Sequence, residues 1–134
     1  MKAVDTNVLV RYYTADDAKQ HAAAVTALRG EELLFVPKTV VQELWWALTS
    51  TRQYRFSDDK VNAVVTHLAG LSNVVLEDAE VVAAALKYQH QGVAFADALH
   101  LASSAGCGQL LTFDIAFKKH AAKLNLRPSC VVPA

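Results

Sequence analysis

Two apolar rhythms alternate along this chain: short unbroken runs, which read as buried strands, and stretches spaced by a helical turn. The first run, Ala3-Val4, ends at Asp5, and a short helix is predicted from Thr6 to about Tyr13, with Asp5 or Thr6 as its cap. An Ala-rich helix follows from Asp16 to Leu28, and Gly30 is its stop. Leu33 to Val36 is a second strand, closed by Pro37, which suits the first turn of a helix from about Lys38 to Thr51. In that helix Val40, Val41, Leu44, Trp45 and Leu48 form one apolar stripe, with Glu43 on its flank and Trp46 nearly opposite its centre. Ser57 opens a helix reaching about Ala69, and Asn73 to Leu76 is a third strand. Ala79 to His90 is helical, and a small-residue helix spans Val93 to Ala105 with Asp97 in its first turn. Leu110 to Phe113 is a fourth strand, Asp114 starts a helix through about Lys123, and Cys130 to Val132 is a last edge strand. This alternation predicts a parallel sheet covered on both faces, an α/β three-layer sandwich.

The 134 residues suffice for one domain with a core of its own, residues 1–134. Hydrophobic residues make up 53% and charged residues 19%, which excludes a disordered chain. Polar residues interrupt every apolar run short of the ~18–20 residues that a membrane span needs, and no signal peptide is read at the start, so the expectation is a cytoplasmic protein. Cys107 and Cys130 have no metal-type spacing and read as two reduced, packed thiols. The net charge of zero argues against a general nucleic-acid coat protein, whose affinity rests on summed phosphate contacts.

The acidic residues change the picture. In a parallel sheet, Asp5 and Asp114 both fall at the C-terminal strand edge, where open α/β sheets bind ligands. Asp97 and Glu43 lie early in helices that begin on what could be the same side. Taken singly, the aspartates are ordinary helix caps, each contributing about 1 kcal/mol, and Glu43 is a solvated helix residue. Taken together they conflict, because two carboxylates about 4 Å apart repel by roughly 4 kcal/mol at an intermediate dielectric. A divalent cation removes that conflict, and oxygen ligands without Cys or suitably spaced His favour Mg²⁺ or Mn²⁺ over Zn²⁺. Such sites typically hydrolyse or transfer phosphoryl groups. A phosphoacceptor receiver domain would need paired acids after the first strand, and a haloacid-dehalogenase-type phosphatase an acid where Asn7 stands. A non-catalytic RNA- or protein-binding module whose acids only cap helices stays open.

Val4-Asp5-Thr6-Asn7-Val8-Leu9-Val10-Arg11, Glu43, Phe95-Ala96-Asp97-Ala98-Leu99 and Leu111-Thr112-Phe113-Asp114, in this order, resemble the PIN-domain ribonucleases. Within them the chain is most similar to the VapC-like toxins of bacterial toxin–antitoxin pairs. The resemblance implies a Mg²⁺- or Mn²⁺-dependent endoribonuclease with a short, mainly parallel central sheet of five strands. It implies Asp5, Glu43, Asp97 and Asp114 as the catalytic acids. In the role division expected here, Asp5 and Asp97 anchor the ion, Asp114 completes its shell and Glu43 orients the attacking water. Thr112 would stand beside them, with Thr6 and Asn7 supporting. It further implies an RNA substrate, a homodimer and a separately encoded antitoxin. One position departs from the pattern: Ala116 stands where the family often has a further acid, which favours one firmly held ion.

Arg11, Lys38, Arg52, Arg55, Lys118 and Lys119 are candidates for a basic rim, with Arg11 and Lys38 nearest the motifs and preferred as RNA-binding residues. His100 reads as surface or rim. Tyr12 and Tyr13 could stack on bases, though aromatics of a short helix more often pack. Trp46, off the apolar stripe, fits a dimer or antitoxin contact or a second packing surface.

Overall fold

A computed structural model describes residues 1–134. Its elements run β1 (Lys2–Ala3), α1 (Thr6–Thr14), α2 (Ala18–Leu28), β2 (Leu34–Val36), α3 (Lys38–Ser50), α4 (Asp58–Ala69), β3 (Val74–Leu76), α5 (Ala79–His90), α6 (Phe95–Ser103), β4 (Gln109–Leu111), α7 (Ile115–Lys123) and β5 (Ser129–Val131). The α/β class expected from the alternation is the class observed. Every ladder is parallel: β1-β2-β3 form one set and β4-β5 the other. The chain forms two compact units, residues 1–79 and 80–134. No helix is long and apolar enough to cross a membrane.

In the first unit, α1 packs on α2 and α3, and α3 on α4. Leu9, Val36, Val41, Leu44, Leu48, Val61, Val65 and Leu68 are fully buried, as the apolar stripes predict. Trp46, off its stripe, is 62% exposed. Asp5, Asp17 and Ser57 accept amide hydrogen bonds at the starts of α1, α2 and α4. The second helix therefore starts two residues later than expected. Asp17 is its cap, while Asp16 turns to other partners.

The start of α3 is capped from a distance. Pro37 supplies the extended backbone at the cap position but no side-chain acceptor. Glu77, just beyond β3, fills that role by accepting the Lys38 amide N–H with Oε1 at 2.7 Å. Because β2 and β3 are parallel and adjacent, their C-terminal ends lie side by side, which brings Glu77 to the opening turn of α3.

In the second unit, α7 packs on β5, and Val82, Ala85, Ala98, Leu101 and Ala121 are buried. The fourth strand ends at Leu111 rather than Phe113, and Phe113 is 77% exposed. The Thr112 amide still donates to Val131, but the Thr112 hydroxyl then accepts the Asp114 amide at 3.0 Å, which turns the chain out of the ladder. The last strand is shifted one residue earlier than expected, with Gln109 to Leu111 opposite Ser129 to Val131. Cys130 is buried and Cys107 exposed, both free, so only Cys130 is the packed thiol expected. Gly106 and Gly108 flank Cys107 in a turn with no core to enter.

Candidate active site

The chemistry of the second unit gathers around a cavity of about 230 Å³ lined by Asp97, Asp114, His120, Val93, Ala94, Ala116 and Phe117. Asp97 occupies the first turn of α6, whose cap position is Ala94 and offers no side-chain acceptor. Asp114 caps α7: its Oδ1 accepts the Phe117 amide at 3.0 Å while its own amide is held by the Thr112 hydroxyl. One Asp114 oxygen is thus fixed by the cap and the other stays available. Thr112, expected beside the acids, is the residue that orients Asp114.

Asp97 is half-buried and titrates above the ordinary carboxylate range. Burial is the main cause and the charge of Asp114 the second, with His100 pulling the other way. The thiol of Cys130 is also pushed up, first by burial and then by the charge of Asp97. A carboxylate whose ionisation is disfavoured by burial and by its neighbour's charge is one that a cation would stabilise.

His120 is the residue sequence reasoning missed. Its Nε2 lies 3.2 Å from the Gln91 carbonyl. A carbonyl only accepts, so Nε2 carries the proton. The ring rests on Gly92, whose φ is +102°; a Cβ there would come within 2.9 Å of His120 Cε1. The available signal was spacing: His120 follows Ala116 by four residues, which puts both on one face of α7.

In the first unit, Asp5 and Glu43 are both exposed. Asp5 lies two residues beyond β1 and accepts the Thr6 amide at 2.7 Å, so the bland capping role is real for Asp5 as for Asp114. Glu43 lies on α3 between the buried Val41 and Leu44, and its carboxylate has no hydrogen-bond or ion-pair partner. Thr6 is buried and Asn7 exposed. Asn7 and Arg11 line a separate, mainly apolar cavity of about 390 Å³ between α1 and α2, together with Gln20 and Ala24.

The preferred basic residues are both engaged. Arg11 donates to Asp16 at 3.0 and 3.3 Å and to Gln20 at 2.7 Å, and Tyr54 completes its shell at 3.3 Å. The Lys38 ammonium pairs with Asp78 at 2.9 Å. Tyr12 and Tyr13 pack edge to face at 4.8 Å, and the Tyr13 hydroxyl, held protonated by burial, lies 2.9 Å from His67 Nδ1. His100 is exposed, as expected.

No group of three or more His, Cys, Asp or Glu side chains stands close enough to hold a metal by protein ligands alone. The donor chemistry still fits a hard cation. Mg²⁺ commonly binds through one or two carboxylates, keeping waters and taking the remaining ligands from substrate phosphates. Asp97 and the free Asp114 oxygen offer such a pair, and Ala116 leaves the adjacent wall without a further acid.

Short parallel strands lead to acids at helix starts, Asp5 after β1 and Asp114 after β4, in an α/β protein. The chain belongs to the PIN domain family, which matches residues 2–123, and so to a superfamily of nucleases that are generally metal-dependent hydrolases. No curated protein matches it.

Proposed function

We propose that residues 1–134 act as one PIN-like domain, a Mg²⁺- or Mn²⁺-dependent endoribonuclease. In this reading the protein is the VapC-like toxin of a toxin–antitoxin pair, a cytoplasmic homodimer silenced by a separately encoded antitoxin, with Trp46 available for one of those contacts. The observation that carries the nuclease reading is the shared cavity of Asp97 and Asp114, where burial and mutual repulsion hold Asp97 above its ordinary range.

Asp97 and Asp114 would hold the cation, and Asp5 is the further acid assigned to anchoring it. A bound Mg²⁺ or Mn²⁺ supplies charge neutralisation at the phosphodiester and lowers the pKa of a coordinated water. Glu43, unpartnered, orients the attacking water. Thr112 fixes Asp114 through its amide, so that the carboxylate needs no reorganisation on binding. Thr6 and Asn7 support Asp5 from the next two positions of α1. Arg11 and Lys38 reach RNA only by leaving Asp16 and Asp78.

A second reading has its own support: Asp5 and Asp114 do cap helices, as they would in a non-catalytic binding module. Cleavage separates the two. Purified protein is incubated with single-stranded RNA in Mn²⁺, and the product ends are mapped. Asp5→Asn, Glu43→Gln, Asp97→Asn and Asp114→Asn are each expected to fold and to lose at least about 10- to 100-fold in rate, the cost typical of disturbing even the supporting residues of a metal site. Retained cleavage in two of the four overturns the assignment. RNA binding that is equal in chelator and Mn²⁺, without cleavage, establishes the binding module instead.

A further inference from the structure

No ion pair involves the cations of the second unit, although Arg127 donates to the Ser129 hydroxyl at 2.8 Å. All three ion pairs of the molecule, Lys2–Glu32, Arg11–Asp16 and Lys38–Asp78, lie within residues 1–79. Residues 80–134 carry Lys87, Lys118, Lys119, Lys123 and Arg127 against only Glu80, Asp97 and Asp114, and none of these five bases is in an ion pair. Three of the five sit on α7, the helix that Asp114 opens.

Helical spacing sorts them. Phe117 and Ala121 are the buried face of α7. Ala116, Lys119, His120 and Lys123 fall at i, i+3, i+4 and i+7, a single stripe on another face. Ala116 and His120 line the acidic cavity, so Lys119 and Lys123, both exposed, continue its wall outward. From Ala116 to Lys123 the stripe is about 10 Å long at the helical rise. Side chains on a helix lean toward its N-terminus, which tilts both lysines toward the Asp114 end.

We propose that Lys119, His120 and Lys123 form a track for the phosphodiester backbone of single-stranded RNA, leading into the Asp97–Asp114 cavity. It rests on the nuclease reading for its substrate, and it replaces Arg11 and Lys38 as the basic contact. His120 is the innermost member. Its Nε2–H is committed to the Gln91 carbonyl and its ring is seated on Gly92, so Nδ1 is oriented before substrate arrives. Nδ1 donates to a phosphate oxygen in the imidazolium form, in which both ring nitrogens carry protons. Lys119 and Lys123 supply point charges to successive phosphates. Cations near the end of a helix also favour its dipole, whatever they bind; a purely helix-stabilising role leaves RNA affinity untouched.

The test is the affinity of a short labelled single-stranded RNA for the full chain in chelator, measured across salt concentrations. The double variant K119Q/K123Q is compared with Lys87→Gln, an exposed lysine on α5 of the same unit. The double variant is expected to bind about 10-fold more weakly at moderate salt, with the slope of log K against log salt reduced by about 1.4, two contacts at ~0.7 each for single strands. His120→Ala is expected to weaken binding several-fold, and Gly92→Ala, which displaces the ring without removing it, to act in the same direction. A double variant with the affinity and slope of Lys87→Gln overturns the track, as does a wild-type protein that does not bind RNA in chelator. Adding Mn²⁺ tests the nuclease reading apart from this. Wild type that binds as described yet leaves RNA uncut removes that reading and keeps the track. Wild type that cuts while the double variant binds normally does the reverse.

Discussion

Asp114 faces Asp97 across the cavity both line, and its charge adds to burial in holding the Asp97 carboxyl protonated above its ordinary range. The folded protein therefore binds that proton more tightly than the unfolded chain does. By linkage, the stabilisation is complete below the unfolded value of about 3.9 and is lost as pH rises through the raised folded value. At neutral pH, without metal, the ionised pair weakens the fold. Asp97→Asn is expected to melt at a higher temperature than wild type in chelated buffer at neutral pH, with the gap closing as the buffer is acidified below about pH 4. A lower melting temperature for the variant at neutral pH would contradict the repulsion argument.

Metal should reverse the order of those two proteins. A cation that binds only the folded state stabilises it by about 2.7 kcal/mol at a hundredfold excess over its dissociation constant. Thermal melts in a Mn²⁺ titration are expected to rise with concentration for wild type and to stay flat for Asp97→Asn and Asp114→Asn. Equal responses in all three proteins would place the ion elsewhere.

Asp16 joins two loops of the first unit. It accepts from Arg11, from the Thr14 hydroxyl at 3.0 Å, from Gln53 at 2.7 Å and from the Tyr54 hydroxyl at 2.6 Å. The Tyr54 hydrogen bond is the main reason its carboxyl titrates below the usual range, with Thr14 and Arg11 adding to it against the effect of burial. A lowered folded value means stability that is present above the unfolded value and lost as pH falls through the folded one. Asp16→Asn is expected to lower the melting temperature at neutral pH and to open residues 51–56 to proteolysis, and the difference should shrink on acidification below about pH 4. A gap that is constant with pH would mean that the carboxylate charge is not what ties the loops.

Thr112 is expected to matter through Asp114 alone. Thr112→Val keeps the shape and removes the hydroxyl that accepts the Asp114 amide. A loss of about 1 kcal/mol in stability is expected, typical of one hydrogen bond, with a larger proportional loss of cleavage. Thr112→Ser, which restores the acceptor, should recover most of that activity. Failure of the serine variant to rescue would show that Thr112 acts through packing instead.

What could be read from the residues alone was set within a turn or two of chain. The α/β alternation, the capping roles of Asp5 and Asp114, the buried stripe of α3 and the exposure of Trp46 all follow from local periodicity and cap chemistry. Strand ends were less legible. Whether Phe113 extends β4 depends on the Thr112 hydroxyl competing for the Asp114 amide, and apolar character does not report that contest.

Side-chain partners were decided by the tertiary structure. Lys38 looked free in sequence, but it meets Asp78 and Glu77, 40 and 39 residues away, because parallel strands bring their C-terminal ends together. Arg11 meets Tyr54 across 43 residues, with Asp16 bound to both. His120 became a wall of the acidic cavity because Gly92, 28 positions earlier, has no Cβ to displace its ring. Sequence order fixes which helix face a residue occupies. Which charge is already neutralised, and which stands free beside the carboxylates, depends on contacts that only chain closure creates.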